Sequence, residues 1–242
     1  MTQFNGKVYL VGAGVGDVDY LTVKAYRLLA EAKVLIYDAL VDEQLLKLVP
    51  DDCLKIHVGK RGGLPSTPQS EINLLLVKYC QQGKLVIRLK SGDPFIFGRC
   101  MQEIKALQAA KCDFEAIPGI SSVTAAPLLA GIPLTDAVMS RCFAVFSAHQ
   151  PSSLDWEALS RLDTLVLLMG GQHLSEIVRQ LIRYGKNKCT PIAIIRKAGT
   201  VEQQIWIGEL STIVEQVKAV RLSPAVIVIG EVVGLSKFSA KM

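Results

Sequence analysis

Two glycine-centred turns and a few charges at strand ends carry the chemistry this sequence offers. Gly12-Ala13-Gly14-Val15-Gly16-Asp17 follows an apolar run and precedes an amphipathic one, where a phosphate-binding loop would sit. The spacing serves neither phosphate template: Asp17 stands where a Rossmann fingerprint requires glycine, and no Lys followed by Ser or Thr completes a P-loop. A tight turn remains open, and so does a side-chain-free surface that lets backbone approach an uncharged or cationic ligand. Lys90-Ser91-Gly92-Asp93-Pro94-Phe95-Ile96-Phe97-Gly98-Arg99 again leaves a strand and enters a helix. Its phenylalanines and arginine exceed what a connection requires, which points to a ligand role. Asp38 and Lys60 each end a strand on that same side, although either alone reads equally as a cap or a solvated charge. Met169, at the end of Leu168-Met169-Gly170-Gly171, reads by itself as a core residue before a turn.

Other chemistries find little support. His57, His149 and His173 form no ligand spacing, the six cysteines include no CxxC pair, and no G-x-S-x-G elbow appears, so neither a metal site nor a serine hydrolase is expected. The cysteines read as reduced thiols, mostly buried. The net charge of +5 is dispersed, with no basic run interleaved with aromatics. It suits a small polyanionic substrate and gives no reason to expect nucleic acid. No apolar run reaches the roughly 18 residues of a membrane span, and no signal-peptide pattern opens the chain, so a cytoplasmic protein without membrane attachment is expected.

The elements that must position these residues alternate. Lys7 to Val11, Lys33 to Tyr37, Leu54 to Val58, Lys84 to Leu89 and Phe114 to Ile117 read as strands, separated by helical patterns. Between Tyr20 and Ala32, Leu21, Ala25, Leu28, Leu29 and Ala32 share one helix face, and Thr67-Pro68 predicts an N-cap followed by proline at the first position of the next helix. Parallel βαβ units follow. Ile117-Pro118-Gly119-Ile120 and Gly131-Ile132-Pro133 bracket a small-residue helix and mark a change of domain, giving domains 1–118 and 119–242. In the second, Cys142 to Ser147, Thr164 to Leu168, Pro191 to Ile195, Gln203 to Ile207 and Ala225 to Val233 read as strands. Little helix separates some of them, which predicts a mixed sheet.

Together these segments resemble the tetrapyrrole methyltransferases nearly end to end: Val8-Tyr9-Leu10-Val11-Gly12-Ala13-Gly14, Tyr37-Asp38, Val58-Gly59-Lys60-Arg61, Gly92 to Arg99, Pro118-Gly119-Ile120, Ala130-Gly131-Ile132-Pro133-Leu134-Thr135, Met169-Gly170 and Gly230-Glu231-Val232-Val233. The resemblance implies two α/β domains with the active-site cleft between them, a homodimer, and S-adenosylmethionine bound without a Rossmann fingerprint. It implies C-methylation of uroporphyrinogen III, with a later precorrin as the alternative substrate and an RNA- or protein-modifying relative as the more distant one. By motif position the cofactor meets Val15, Ser91, Gly92, Asp93, Ile96, Ser121, Ser122, Met169 and Ala198. Asp38 is then the base, Lys60 the acid, and Arg99 and Arg61 partners for substrate carboxylates.

The chain departs from the family pattern at Val15 (usually proline), Ser91 (usually glycine), Cys100-Met101-Gln102 (usually Gly-Gly-Glu) and Asp136-Ala137 (usually His-Arg). The last removes an arginine suited to a substrate carboxylate. Arg141 is the candidate replacement, within one turn of the altered pair if that segment is helical.

Overall fold

The computed structural model describes residues 6–59 and 67–238, and the chain divides into two compact units, Met1–Ser121 and Ser122–Met242. The first unit is built on β1 (Lys7–Gly12), β2 (Val34–Tyr37), β3 (Leu54–His57), β4 (Leu85–Lys90) and β5 (Asp113–Ile117). All pair in parallel, in the order β3-β2-β4-β1-β5. Helices α1 (Val23–Ala30), α2 (Gln69–Gln81) and α3 (Cys100–Ala109) supply the crossovers. A parallel sheet must bury both faces. Here Val11, Leu35, Ile87 and Leu89 pack with Ala25, Leu28 and Leu29 of α1, while Val8, Leu10, Ile36 and Val86 pack with Ile72 and Leu76 of α2 and Ile104 and Leu107 of α3.

Helix α1 starts where Thr22 Oγ1 accepts from the Ala25 amide. Helix α2 starts one residue later than Thr67-Pro68 predicts. Pro68 is itself the cap, extended at ψ 142°, because its carbonyl accepts from the Glu71 and Ile72 amides. Thr67 makes no cap. The shift places Gln69 in the first turn, where its amide reaches Asn73 and Glu103.

The second unit contains α4 (Ser122–Leu129), β6 (Phe143–Ser147), α5 (Trp156–Ser160), β7 (Thr164–Leu168), α6 (Leu174–Arg183), β8 (Pro191–Arg196), β9 (Gln204–Glu209), α7 (Ile213–Gln216) and β10 (Ala225–Ile229). Its sheet is mixed as expected, in the order β6-β7-β10-β8-β9, with β6 and β7 parallel and the other pairs antiparallel. The last strand stops at Ile229, short of the predicted Val233. At Gly230 φ is 151°, and a Cβ there would lie 2.6 Å from the Asp163 carbonyl oxygen. The chain turns at this glycine into a 3-10 helix that still buries Val232 and Val233.

Candidate functional site

The residues singled out in the first unit gather at the carboxyl ends of four neighbouring strands, where open α/β sheets bind ligands. Asp38 follows β2, Ser91 to Arg99 follow β4, Ala13 to Asp17 follow β1, and Pro118-Gly119 follow β5. The turns after β1 and β4 are joined: Gly92 N donates to Gly14 O at 2.9 Å, Gly14 N to Gly92 O at 3.3 Å, and Ala13 N to Lys90 O at 2.7 Å. Asp93 secures the third turn and its own. Its Oδ2 accepts from Gly119 N at 3.2 Å and its Oδ1 from Phe95 N at 2.9 Å. Glycine is required where the turns cross, since a Cβ on Gly119 would lie 2.3 Å from Gly92 O and one on Gly12 2.5 Å from Gly119 N.

This geometry explains the missing phosphate motif. A phosphate cradle needs several free N–H groups, and here those of Ala13, Gly14, Gly92 and Gly119 are already engaged by neighbouring loops. What the turns leave is a backbone surface free of side chains at the crossing. Beside it Val15 is buried, while Ser91, Phe95, Ile96, Phe97 and Arg99 are exposed. Phe97 and Arg99 hold left-handed backbone, at φ 52° and 55°, a conformation that non-glycine residues adopt at a cost and that clusters at functional sites. Arg99 is the cap of α3, and its guanidinium makes no ion pair among the described residues.

Beneath these turns lies a set of charges that sequence reading missed. Arg88 and Lys90 alternate along β4 on the face covered by α2 and α3, and both are buried, as is Glu103 in the first turn of α3. Arg88 Nε donates to Glu103 Oε1 at 2.9 Å and its Nη2 to Asp38 Oδ1 at 2.5 Å, while Lys90 Nζ reaches both Glu103 oxygens at 2.9 and 3.0 Å. Burial opposes the charge on Arg88, but the adjacent Asp38 and Glu103 carboxylates outweigh it and its pKa is raised. The available signal was the pattern Leu85-Val86-Ile87-Arg88-Leu89-Lys90, because a central parallel strand has no solvent face for its charges. Cys100, standing where the family has glycine, is inert: burial and then Glu103 push its thiol up to about 11. Lys60 and Arg61 lie outside the described residues.

In the second unit Met169 follows β7 with φ 59° and is 49% exposed. It is therefore not a core residue. Gly170 behind it packs where a Cβ would lie 3.0 Å from Ile177 Cδ1, which fixes the turn. Ala198, in the turn after β8, is half-buried between Lys197 and Gly199, both at positive φ. Ser121 and Ser122, at the boundary of the two units, are half-buried, and Ser122 opens α4.

The altered pair Asp136-Ala137 lies in a hairpin rather than a helix, closed by Asp136 N to Ser140 O at 2.9 Å and Ser140 N to Asp136 O at 3.2 Å. Asp136 Oδ1 accepts from the amides of Val138 and Met139, both at 2.9 Å, which accounts for an aspartate here. Ser140 Oγ lies 2.7 Å from Thr164 Oγ1 and pins the hairpin to β7. Arg141 follows with its guanidinium exposed and unpaired among the described residues, while its amide donates to Asp163 Oδ2.

The Met139 amide, then that of Val138, holds the Asp136 carboxyl below the usual range. With its folded pKa depressed, this group stabilises the turn above the ordinary aspartate range, and the contribution is lost as pH falls through the lowered value. The amide resonances of Val138 and Met139 should therefore titrate together, with a midpoint below that of a free aspartate. A midpoint at or above the free value would remove the turn as the explanation for Asp136.

A family model of tetrapyrrole (corrin/porphyrin) methylases matches residues 7–214. The chain is 56% identical over 235 residues to a uroporphyrinogen-III C-methyltransferase of Synechococcus elongatus, covering 97% of each chain. It is 42% identical over 237 residues to the uroporphyrinogen-III C-methyltransferase of Priestia megaterium, covering 96% of this chain and 100% of that one. Among solved structures, uroporphyrin-III C-methyl transferase from Thermus thermophilus complexed with S-adenyl homocysteine matches with a TM-score of 0.83 at 38% identity, over 95% of this chain and 100% of that one.

Proposed function

The chain belongs to the tetrapyrrole (corrin/porphyrin) methylases, and from that premise we propose that it methylates uroporphyrinogen III at carbon, through precorrin-1 to precorrin-2, for sirohaem or cobalamin biosynthesis. The observation that carries this reading is the 56% identity to the Synechococcus elongatus enzyme across 97% of both chains. The site is consistent with it, since the glycine crossing offers backbone without a phosphate cradle.

When bound, S-adenosylmethionine supplies a methyl group on a cationic sulfur. By the positions of the family's motifs, Val15, Ser91, Gly92, Asp93, Ile96, Ser121, Ser122, Met169 and Ala198 would hold it, largely through backbone groups. Asp38 takes the C–H proton that the ring sheds after gaining its methyl group, the bond's electron pair staying in the ring. Lys60 acts as the acid. Arg99, Arg61 and Arg141 meet carboxylates of the substrate, and the guanidinium groups of Arg99 and Arg141, exposed and unpaired among the described residues, suit that task. Asp136 needs no substrate contact to explain it, so the departure from His-Arg does not favour a later precorrin.

No helix among the described residues is long and apolar enough to cross a membrane. A homodimer in the cytoplasm completes the proposal. Support comes from the family resemblance and from six cysteines that are all free thiols, four of them buried, as a reducing compartment allows.

The experiment that tests the function is transfer of labelled methyl groups to uroporphyrinogen III, to a later precorrin and to bulk RNA in parallel. Label is expected in the first. Label in either of the others alone would overturn the reading. Met169→Asp should weaken binding of S-adenosylmethionine by several-fold or more in calorimetry, because it sets a charge where the adenosyl group is to be desolvated. Unchanged affinity in the folded variant would take Met169 out of the site.

A further inference from the structure

The buried charges under the turns have no place in the reaction as set out above, and their arrangement assigns them one. Arg88 is 2% exposed, Lys90 3% and Glu103 0%, in a layer otherwise made of Val8, Leu10, Ile36 and Val86. Apolar residues of similar size often hold such a layer about as well, since taking charges out of water offsets much of what their pairing returns. The positions are therefore poorly explained by stability alone. Their contacts lead to one place. Of the four groups only Asp38 reaches solvent, with its side chain 32% exposed. Its Oδ1 is held by Arg88 Nη2, its backbone N–H donates to Leu89 O at 3.2 Å, and its Oδ2 takes part in no hydrogen bond among the described residues.

Arg88 is itself fully committed. Nη1 donates to Ile36 O at 3.4 Å and Leu89 O at 3.3 Å, and Nε to Glu103, so its plane is set by β2, β4 and α3 together. Glu103 is in turn fixed by Lys90 and by Gln69 of α2 at 3.4 Å. Lys90 reaches the second turn as well, for a Cβ on Gly98 would lie 3.3 Å from Lys90 Cε.

We propose that Arg88 is a positioning residue, oriented by Glu103 and Lys90, which holds Asp38 by one oxygen so that the other faces the substrate and takes its proton. The inference rests on the role given to Asp38 above. One guanidinium N–H, on a plane fixed by its other contacts, holds a short side chain at a strand end that no other side chain secures among the described residues, and a carboxylate displaced by about 1 Å loses much of its effect on a proton transfer.

A double-mutant cycle tests it on the full chain with uroporphyrinogen III and S-adenosylmethionine. Arg88→Met should lower kcat by about tenfold or more, while KM and cofactor affinity stay within about twofold, and Arg88→Lys should recover part of the loss. In an Asp38→Asn background, Arg88→Met should have no further effect on kcat, because the group it positions is gone. Should the two losses multiply, or should Arg88→Met and Arg88→Lys change stability or KM with kcat intact, the positioning role is overturned. Normal turnover in Asp38→Asn would overturn it too, with wild-type methyl transfer intact. Absence of transfer by the unaltered chain would instead sink the functional reading itself, so the two failures are distinguishable.

Discussion

Asp38→Asn is expected to lower turnover on uroporphyrinogen III by on the order of a hundredfold or more, with affinity for S-adenosylmethionine unchanged. The substitution keeps the size of the side chain and leaves an acceptor for Arg88, so the salt bridge becomes an ordinary hydrogen bond and β2 keeps its end. What is lost is the capacity to accept a proton. No hydrogen bond joins Asp38 to the glycine crossing, where Gly12, Gly14, Gly92 and Gly119 meet, so cofactor binding has no reason to change. Stopped turnover assays together with calorimetry on the same preparation separate the two effects. Normal turnover would leave Asp38 as the anchor of Arg88 and nothing more.

The second large effect is on stability. Glu103 is the one carboxylate that both Arg88 and Lys90 touch, and all three are buried. Glu103→Leu would leave two cations facing an apolar wall, with Asp38 the carboxylate remaining on Arg88 beside the Ile36 and Leu89 carbonyls, and none on Lys90 among the described residues. Breaking a buried pair in this way costs about 3–5 kcal/mol, which should appear as a lowered urea midpoint in a chain that still folds at low denaturant. Replacing the whole set, as Arg88→Met, Lys90→Met and Glu103→Leu together, should recover much of that stability without restoring turnover. A triple variant with both restored would mean that the charges serve neither packing nor catalysis. A Glu103→Leu midpoint equal to wild type would mean that water reaches the cluster.

How far the sequence reads depends on which physical effect each feature expresses. Short β-branched runs divided by amphipathic stretches require parallel units, and the strands appear where that pattern places them, with Thr164–Leu168 matching at both ends. The sparse helix between later strands likewise required antiparallel neighbours, as β10 shows against β7 and β8. Boundaries were lost where a single backbone angle decides. Pro68 tolerates either a cap or a first helical position, and its ψ makes it the cap. Gly230 ends β10 although Val232 and Val233 are buried beyond it.

The two glycine turns were legible as turns at strand ends, but not their crossing, which depends on β1 and β4 being neighbours in space. Arg88 and Asp38 are paired across fifty residues of chain, and periodicity reports which face is buried without saying what a buried charge touches. The hairpin at Asp136 was missed for a local reason. An aspartate that accepts from the two amides following it closes a turn, and the conditional helix placing Arg141 overlooked that option.

The central claim is that this chain methylates uroporphyrinogen III at carbon with S-adenosylmethionine as donor. Mass spectrometry of the products from that substrate and isotopically labelled cofactor, kept free of oxygen, tests it most directly. The account predicts species heavier than uroporphyrinogen III by one and then two labelled methyl groups, bonded to ring carbon, with S-adenosylhomocysteine formed in matching amount. Recovery of unmodified uroporphyrinogen III, from a preparation that binds the cofactor and methylates a later precorrin, would contradict it.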